Sequence, residues 1–222
     1  MRRVILLPGM DGTGRLFRDF AALAPAGFAP QTVALPAEEL GYDALARRLG
    51  DELRVGPDCI IVAESFSGPL GIRLAAKGGA AALVLCNSFV APPRHRALRL
   101  VALPIAFRAA PPAWAIRHFL VGAGASAALV DEVRAAIASV PPAVLAARLA
   151  AVLTADAARW LPHCPAPILY LRGTRDRLVP DVALRRISDA HPTQVARMDA
   201  PHLLLQAAPA AAWSAITRFL DR

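Results

Sequence analysis

The stretch Ile60-Ile61-Val62-Ala63-Glu64-Ser65-Phe66-Ser67-Gly68-Pro69-Leu70 runs from an unbroken apolar segment, through a serine among small residues, into a segment of helical pattern. A short apolar run that ends in such a turn reads as a strand covered on both faces, and hence as part of a parallel sheet flanked by helices. Ala63, Ser67 and Gly68 surround Ser65 as small-x-Ser-x-small, where the usual pattern carries glycine in place of Ala63 and Ser67. A nucleophile on a tight strand-to-helix turn needs small neighbours two residues away, and the helix N-terminus behind it favours developing negative charge. The competing reading is an ordinary strand-to-helix turn in which Ser65 caps the helix, and this window alone leaves the two level.

The same alternation extends in both directions. Apolar runs at Val4 to Pro8, Gln31 to Leu35, Cys59 to Ala63, Ala81 to Cys86, Ile168 to Arg172 and Gln194 to Met198 predict six strands. Helical periods lie between and after them at Arg15 to Ala24, Tyr42 to Leu53, Ser67 to Ala76, Pro180 to Ala190 and Ala208 to Leu220. Asp43 and Asp181 stand where a carboxylate can accept free N–H groups of a first turn. The alternation stops between residues 91 and 160, where Pro92-Pro93, Pro104, Pro111-Pro112 and Pro141-Pro142 punctuate helical pieces. Too long for a loop, this insertion is expected to form a helical cap over the carboxyl ends of the strands, where open α/β sheets bind ligands. The expected organisation is an α/β core of residues 1–90 and 161–222 with a cap at 91–160.

Composition removes several classes of function. The 222 residues are 56% hydrophobic and 19% charged, enough for one large core, and no apolar stretch is long enough for a spanning helix. The N-terminal apolar run is too short for a signal-peptide core, so a soluble, cytoplasmic protein without membrane contact is expected. Cys59, Cys86 and Cys164 form no CxxC pair, which points to reduced thiols and to no metal site. The net charge of +8 would suit nucleic acid, yet Lys77 is the only lysine and no nucleic-acid-binding motif accompanies the arginines. Residues 92 to 160 hold eight arginines (Arg94, Arg96, Arg99, Arg108, Arg117, Arg134, Arg148, Arg159) against Asp131, Glu132 and Asp156, a net +5.

The turn Leu7-Pro8-Gly9-Met10-Asp11-Gly12-Thr13-Gly14 has the spacing G-x-x-G-x-G and no following lysine, which disfavours a phosphate cradle. It can instead aim a backbone N–H, that of Met10, at the same point as the N–H of Phe66, and two convergent amides make an oxyanion hole. Asp176, in Gly173-Thr174-Arg175-Asp176, follows a strand, and an aspartate there is commonly a turn or helix cap. His202 follows the last strand in Met198-Asp199-Ala200-Pro201-His202. Serine, acid and histidine in that order, each after a separate strand, is the arrangement of a Ser-Asp-His hydrolase on a parallel sheet. Asp199 is the rival acid, but it stands only three residues from His202.

Through LLPGMDGTG, AESFSGPL, RGTRDRLVP and DAPHLLL the chain resembles the α/β-hydrolase superfamily, and among its members the small capped carboxylesterases and acyl-carrier-protein methyl esterases. The resemblance implies an α/β-hydrolase fold with a mostly parallel sheet shortened to six strands. It implies a Ser65 nucleophile, a His202 base, an Asp176 orienter, oxyanion amides on Met10 and Phe66, and no cofactor or metal. The implied reaction is hydrolysis of small to medium acyl esters or thioesters. Acyl transfer to another acceptor, thioester cleavage on a carrier, and a non-catalytic binding scaffold are the alternatives. Asp11, Glu64, Trp114, Phe119 and Leu120 are expected at the substrate pocket, although Glu64 also suits a solvated or helix-paired carboxylate. The arginine-rich insertion suggests an acidic carrier protein or coenzyme A thioester as partner.

Overall fold

Side chains alternate across the apolar runs, so each strand feeds two cores. The computed structural model describes residues 1–92 and 103–221. Its elements in chain order are β1 (Arg2–Leu7), α1 (Arg18–Ala22), β2 (Phe28–Thr32), α2 (Tyr42–Leu53), β3 (Cys59–Glu64), α3 (Gly68–Gly78), β4 (Ala82–Cys86), α4 (Ala113–Ile116), α5 (Ala127–Ala138), α6 (Pro142–Leu153), β5 (Ile168–Gly173), α7 (Asp181–Ala190), β6 (Thr193–Met198), α8 (Leu204–Ala207) and α9 (Pro209–Leu220). The strands form one parallel sheet in the order β2-β1-β3-β4-β5-β6, as expected of the α/β-hydrolase fold.

Ile5, Leu7, Ile61, Leu83, Leu85 and Tyr170 face one side and pack with Leu45 and Leu49 of α2, Leu70 of α3 and Ile187 of α7. Val4, Leu6, Ile60, Val62, Val84 and Leu171 face the other and pack with Phe20 of α1 and Trp213 and Ile216 of α9. There the Trp213 ring stacks on Phe20 at 4.7 Å, and its indole N–H donates to Phe20 O at 2.7 Å. The four central strands β1, β3, β4 and β5 are therefore apolar through their interiors, with polar residues only at their ends.

The expected second strand at Gln31 to Leu35 is instead β2, Phe28–Thr32. It lies at the sheet edge, where partial exposure removes the apolar signal and Pro30, opposite Val4, is tolerated because one side of the strand needs no donors. Asp43 and Asp181 do not cap their helices. Asp43 accepts from Arg73 Nε at 3.0 Å and Asp181 from Arg172 Nε at 2.7 Å, because arginines on neighbouring elements reach them.

Between β4 and β5 the described residues form α4, a π-helical turn at Arg117–Val121, α5 and α6. Ile116, Val121, Val130 and Val133 of this segment pack with Leu16 and Leu203, and Leu203 N–H donates to Leu120 O at 2.9 Å. Those contacts set the segment against the loops that follow β1 and β6. Among the described residues no single helix is long and apolar enough to cross a membrane.

Candidate active site

β3 carries its buried side chains up to Glu64, and the chain then turns sharply. Ser65 has φ +49°, a left-handed conformation that costs a non-glycine residue about 1–2 kcal/mol and persists only where the surroundings enforce it. Three contacts do so. Ser88 Oγ donates to Ser65 O at 2.6 Å, Tyr42 OH donates to Phe66 O at 2.8 Å, and Ser67 Oγ donates to Pro8 O. Gly68 is obligatory because a Cβ there would lie 1.7 Å from Ser88 Oγ. The small residues around Ser65 thus admit the groups that clamp the turn.

His202 Nε2 lies 2.8 Å from Ser65 Oγ, and His202 Nδ1 lies 2.9 Å from Asp176 Oδ1. A carboxylate only accepts, so Nδ1–H donates to it and Nε2 is left to accept the Ser65 hydroxyl proton. Asp176 also behaves as the turn-forming aspartate that its position suggested: Oδ1 accepts the N–H groups of Leu178 at 2.8 Å and Val179 at 3.2 Å. Its Oδ2 accepts from Arg172 Nη1 at 3.1 Å. Burial works against the Asp176 charge, but His202 and the two N–H groups outweigh it and hold the carboxyl below its ordinary pKa. Asp199 is exposed and pairs with Arg175 at 2.7 Å, out of the chain of hydrogen bonds.

Asn87 immediately follows β4 with φ +43°. Its Nδ2 donates to Pro201 O at 3.0 Å and His202 O at 2.8 Å, and its Oδ1 accepts Gly173 N–H at 2.8 Å. One buried amide therefore ties the histidine loop to the end of β5. Gly173 permits this, since a Cβ there would lie 2.6 Å from the carbonyls of Ala200 and Pro201. Asn87, Ser88, Tyr42 and Arg148 carry no signature in the sequence. The polar pair Asn87-Ser88 at the end of an apolar strand was the only available hint.

Ser65 and His202 open into a cavity of about 390 Å³. Gly9, Met10, Asp11 and Phe66 border it beside the serine, while Leu16, Phe107, Leu120, Leu145, Leu149 and Val152 are among its apolar walls. Of the residues expected at a pocket, Asp11 and Leu120 thus border this cavity. Trp114 and Phe119 do not line the cavity. They are 67% and 39% exposed, because Ile116 and Val121 are the residues that this part of the segment turns inward. Glu64 is neither at the cavity wall nor solvated, being the inward-facing last residue of a strand covered on both sides. It accepts from Gln206 Nε2 at 3.3 Å, and burial, helped by the Asp11 charge, pushes its pKa up to about 8.

Of the eight arginines in residues 92 to 160, Arg94, Arg96 and Arg99 lie outside the described residues. Arg148 adds nothing to a basic surface, because it is buried with its guanidinium on the carbonyls of Met10, Asp11 and Pro36. The three cysteines are buried and free, and among the described residues no group of three or more His, Cys, Asp or Glu is placed to hold a metal ion.

No protein-family model and no curated protein matches the chain. Solved structures do. A thermophilic esterase from Thermogutta terrifontis superposes with a TM-score of 0.83 at 22% identity, over 100% of this chain and 90% of that one. A hydrolase from Oleispira antarctica gives 0.85 at 15% identity over 100% and 92%, and the enol-lactonase from Burkholderia xenovorans LB400 gives 0.77 at 16% over 99% and 91%.

Proposed function

We propose that this chain, whose fold is that of the α/β-hydrolases, is a serine hydrolase that cleaves carboxylic esters of small to medium apolar acyl groups. The observation that carries the reading is the hydrogen-bonded series Ser65 Oγ, His202 Nε2, His202 Nδ1, Asp176 Oδ1, at 2.8 and 2.9 Å, on the floor of an apolar cavity. A strained serine whose proton has a positioned acceptor is the arrangement that nucleophilic acyl transfer requires.

In this reading Ser65 Oγ attacks the ester carbonyl while its proton passes to His202 Nε2. The negative charge that develops on the carbonyl oxygen is received by the N–H groups of Met10 and Phe66. Phe66 N–H lies in the first turn after β3, where backbone donors have no acceptor one helical turn back. The imidazolium returns its proton to the departing alkoxide, leaving an acyl-Ser65 and a free alcohol. Water then gives a proton to His202 and its oxygen to the acyl carbon, and the carboxylic acid leaves as Ser65 recovers its proton. Asp176 holds the imidazole in the required tautomer and stabilises its cationic form without taking the proton. The helical segment between β4 and β5 serves as the cap that walls the acyl chain from water.

Initial rates on p-nitrophenyl esters from acetyl to palmitoyl, with Ser65→Ala beside the wild type, test this. Expected are hydrolysis by the wild type, loss in Ser65→Ala, and labelling of Ser65 by a fluorophosphonate. A wild type inert on every ester and unlabelled at Ser65 would refute it.

A further inference from the structure

We infer that Arg148, carried on α6, is a positioning residue that holds the Gly9–Gly12 turn in its reactive shape; the inference rests on the hydrolase reading above. The turn is closed by Gly12 N–H donating to Gly9 O at 3.0 Å, with Met10 and Asp11 between them. Such a turn has two outward carbonyls, and here both go to one side chain. Arg148 Nη1 donates to Met10 O at 3.0 Å and to Asp11 O at 2.7 Å, while Nη2 donates to Pro36 O at 3.0 Å. Leu35 N–H to Gly12 O at 2.7 Å fastens the far end of the turn. The peptide planes that follow Met10 and Asp11 are thereby fixed by a group 138 residues away in sequence from Met10. The preceding plane, which carries the Met10 N–H assigned to the oxyanion, is held through Gly9 O by the Gly12 N–H. Arg148 thus acts on that N–H by keeping the turn closed.

Gly12 shows that the chain makes room for this contact. It has φ +67°, and a Cβ at that position would lie 2.4 Å from Arg148 Nη1 and 2.6 Å from Cζ. The glycine that the sequence offered as part of a tight turn is also the seat of the guanidinium. Burying a cation on neutral carbonyls carries a desolvation cost, and a flexible ammonium could not reach three carbonyls with a planar fork. The same face of α6 presents Leu145, Leu149 and Val152 to the cavity, at the i, i+3, i+4 and i+7 spacing that includes Arg148. One helix therefore touches both the acyl chain and the turn that receives the oxyanion, so docking of α6 and readiness of the turn are a single event.

The test uses Arg148→Met, Arg148→Lys, Arg148→Ala and Gly12→Ala in the full chain. For Arg148→Met, kcat on the preferred ester is expected to fall roughly 10- to 100-fold, within the range for loss of an oxyanion donor, with KM changed about twofold or less. Affinity for a trifluoromethyl ketone, whose adduct carries the oxyanion, falls in proportion to kcat/KM. Guanidinium chloride at millimolar concentration restores part of the rate of Arg148→Ala and leaves the wild type unaffected. In a double-mutant cycle Gly12→Ala costs less in the Arg148→Met background than in the wild type, because the clash is gone and only the backbone strain remains. If Arg148→Met does not fold, Arg148→Lys decides, with KM near the wild type and kcat reduced. An active, Ser65-labelled wild type whose folded Arg148 variants keep kcat, or lose rate through KM alone, overturns this inference and leaves the hydrolase reading standing. A wild type inert on all esters and unlabelled at Ser65 overturns both.

Discussion

Glu64 stands next to the serine in sequence, yet its side chain is buried outside the cavity into which Ser65 opens. Glu64 Oε1 is buried without a donor among the described residues, and an unpartnered buried carboxylate oxygen disfavours the charged form. With the folded pKa near 8 and the unfolded one near 4.5, the folded state binds more protons between those values. Stability is then fully present below about pH 4.5 and falls as pH rises towards 8. Glu64→Gln removes this dependence and is expected to gain on the order of 3 kcal/mol over the wild type at pH 7. Thermal unfolding from pH 4.5 to 8.5 checks it; parallel curves for the two proteins would contradict it. Asn87 makes the opposite case. Asn87→Ala leaves the carbonyls of Pro201 and His202 without that donor and puts alanine at φ +43°. A loss of about 2–4 kcal/mol is expected in denaturant unfolding, with kcat falling further as the histidine loop loosens.

At the scale of elements, the β3-to-α3 turn depends on how closely the helix can approach the strand. A Cβ on Gly71 of α3 would lie 2.8 Å from Ala63 Cβ, and neither atom can rotate away. Alanine gains about 1 kcal/mol over glycine in a helix interior, while overpacking a close contact costs about 1–3 kcal/mol. The clash is the larger effect, so Gly71→Ala is expected to destabilise, in contrast to Gly50→Ala in α2, where the nearest atom to a new Cβ is 3.8 Å away. Urea unfolding of the two variants separates the effects. α3, the serine turn and the end of β3 form one unit, and strain at Ser65 is carried by contacts from α2 and from the residues after β4.

For the whole molecule, the cavity links the segment between β4 and β5 to the chemistry. Each methylene buried in it is worth about 0.8 kcal/mol, so kcat/KM is expected to rise roughly fourfold per added methylene until the chain fills the cavity, and then level or fall. Leu149→Trp, which fills space at the wall, moves the optimum to shorter chains without abolishing hydrolysis of the acetyl ester. The chain-length profile of the two proteins checks this, and identical profiles would mean that α6 does not face the acyl group.

Apolar runs and their order were enough to read a parallel α/β sheet, its helices, and Ser65, Asp176 and His202 after separate strands, because burial on both faces and the chain direction of a parallel sheet leave a local imprint on sequence. The edge strand β2 left a weaker one and was misplaced by about three residues, since half-exposed positions need not be apolar. Only the tertiary structure decided that Glu64 is sealed from solvent, that Trp114 points away from the cavity, and that Asn87 and Arg148 secure the loops around it. Those contacts join residues as far as 138 positions apart. Asparagine and arginine have many uses at any single position, and the role of each here is set by the carbonyls that folding brings within hydrogen-bond reach.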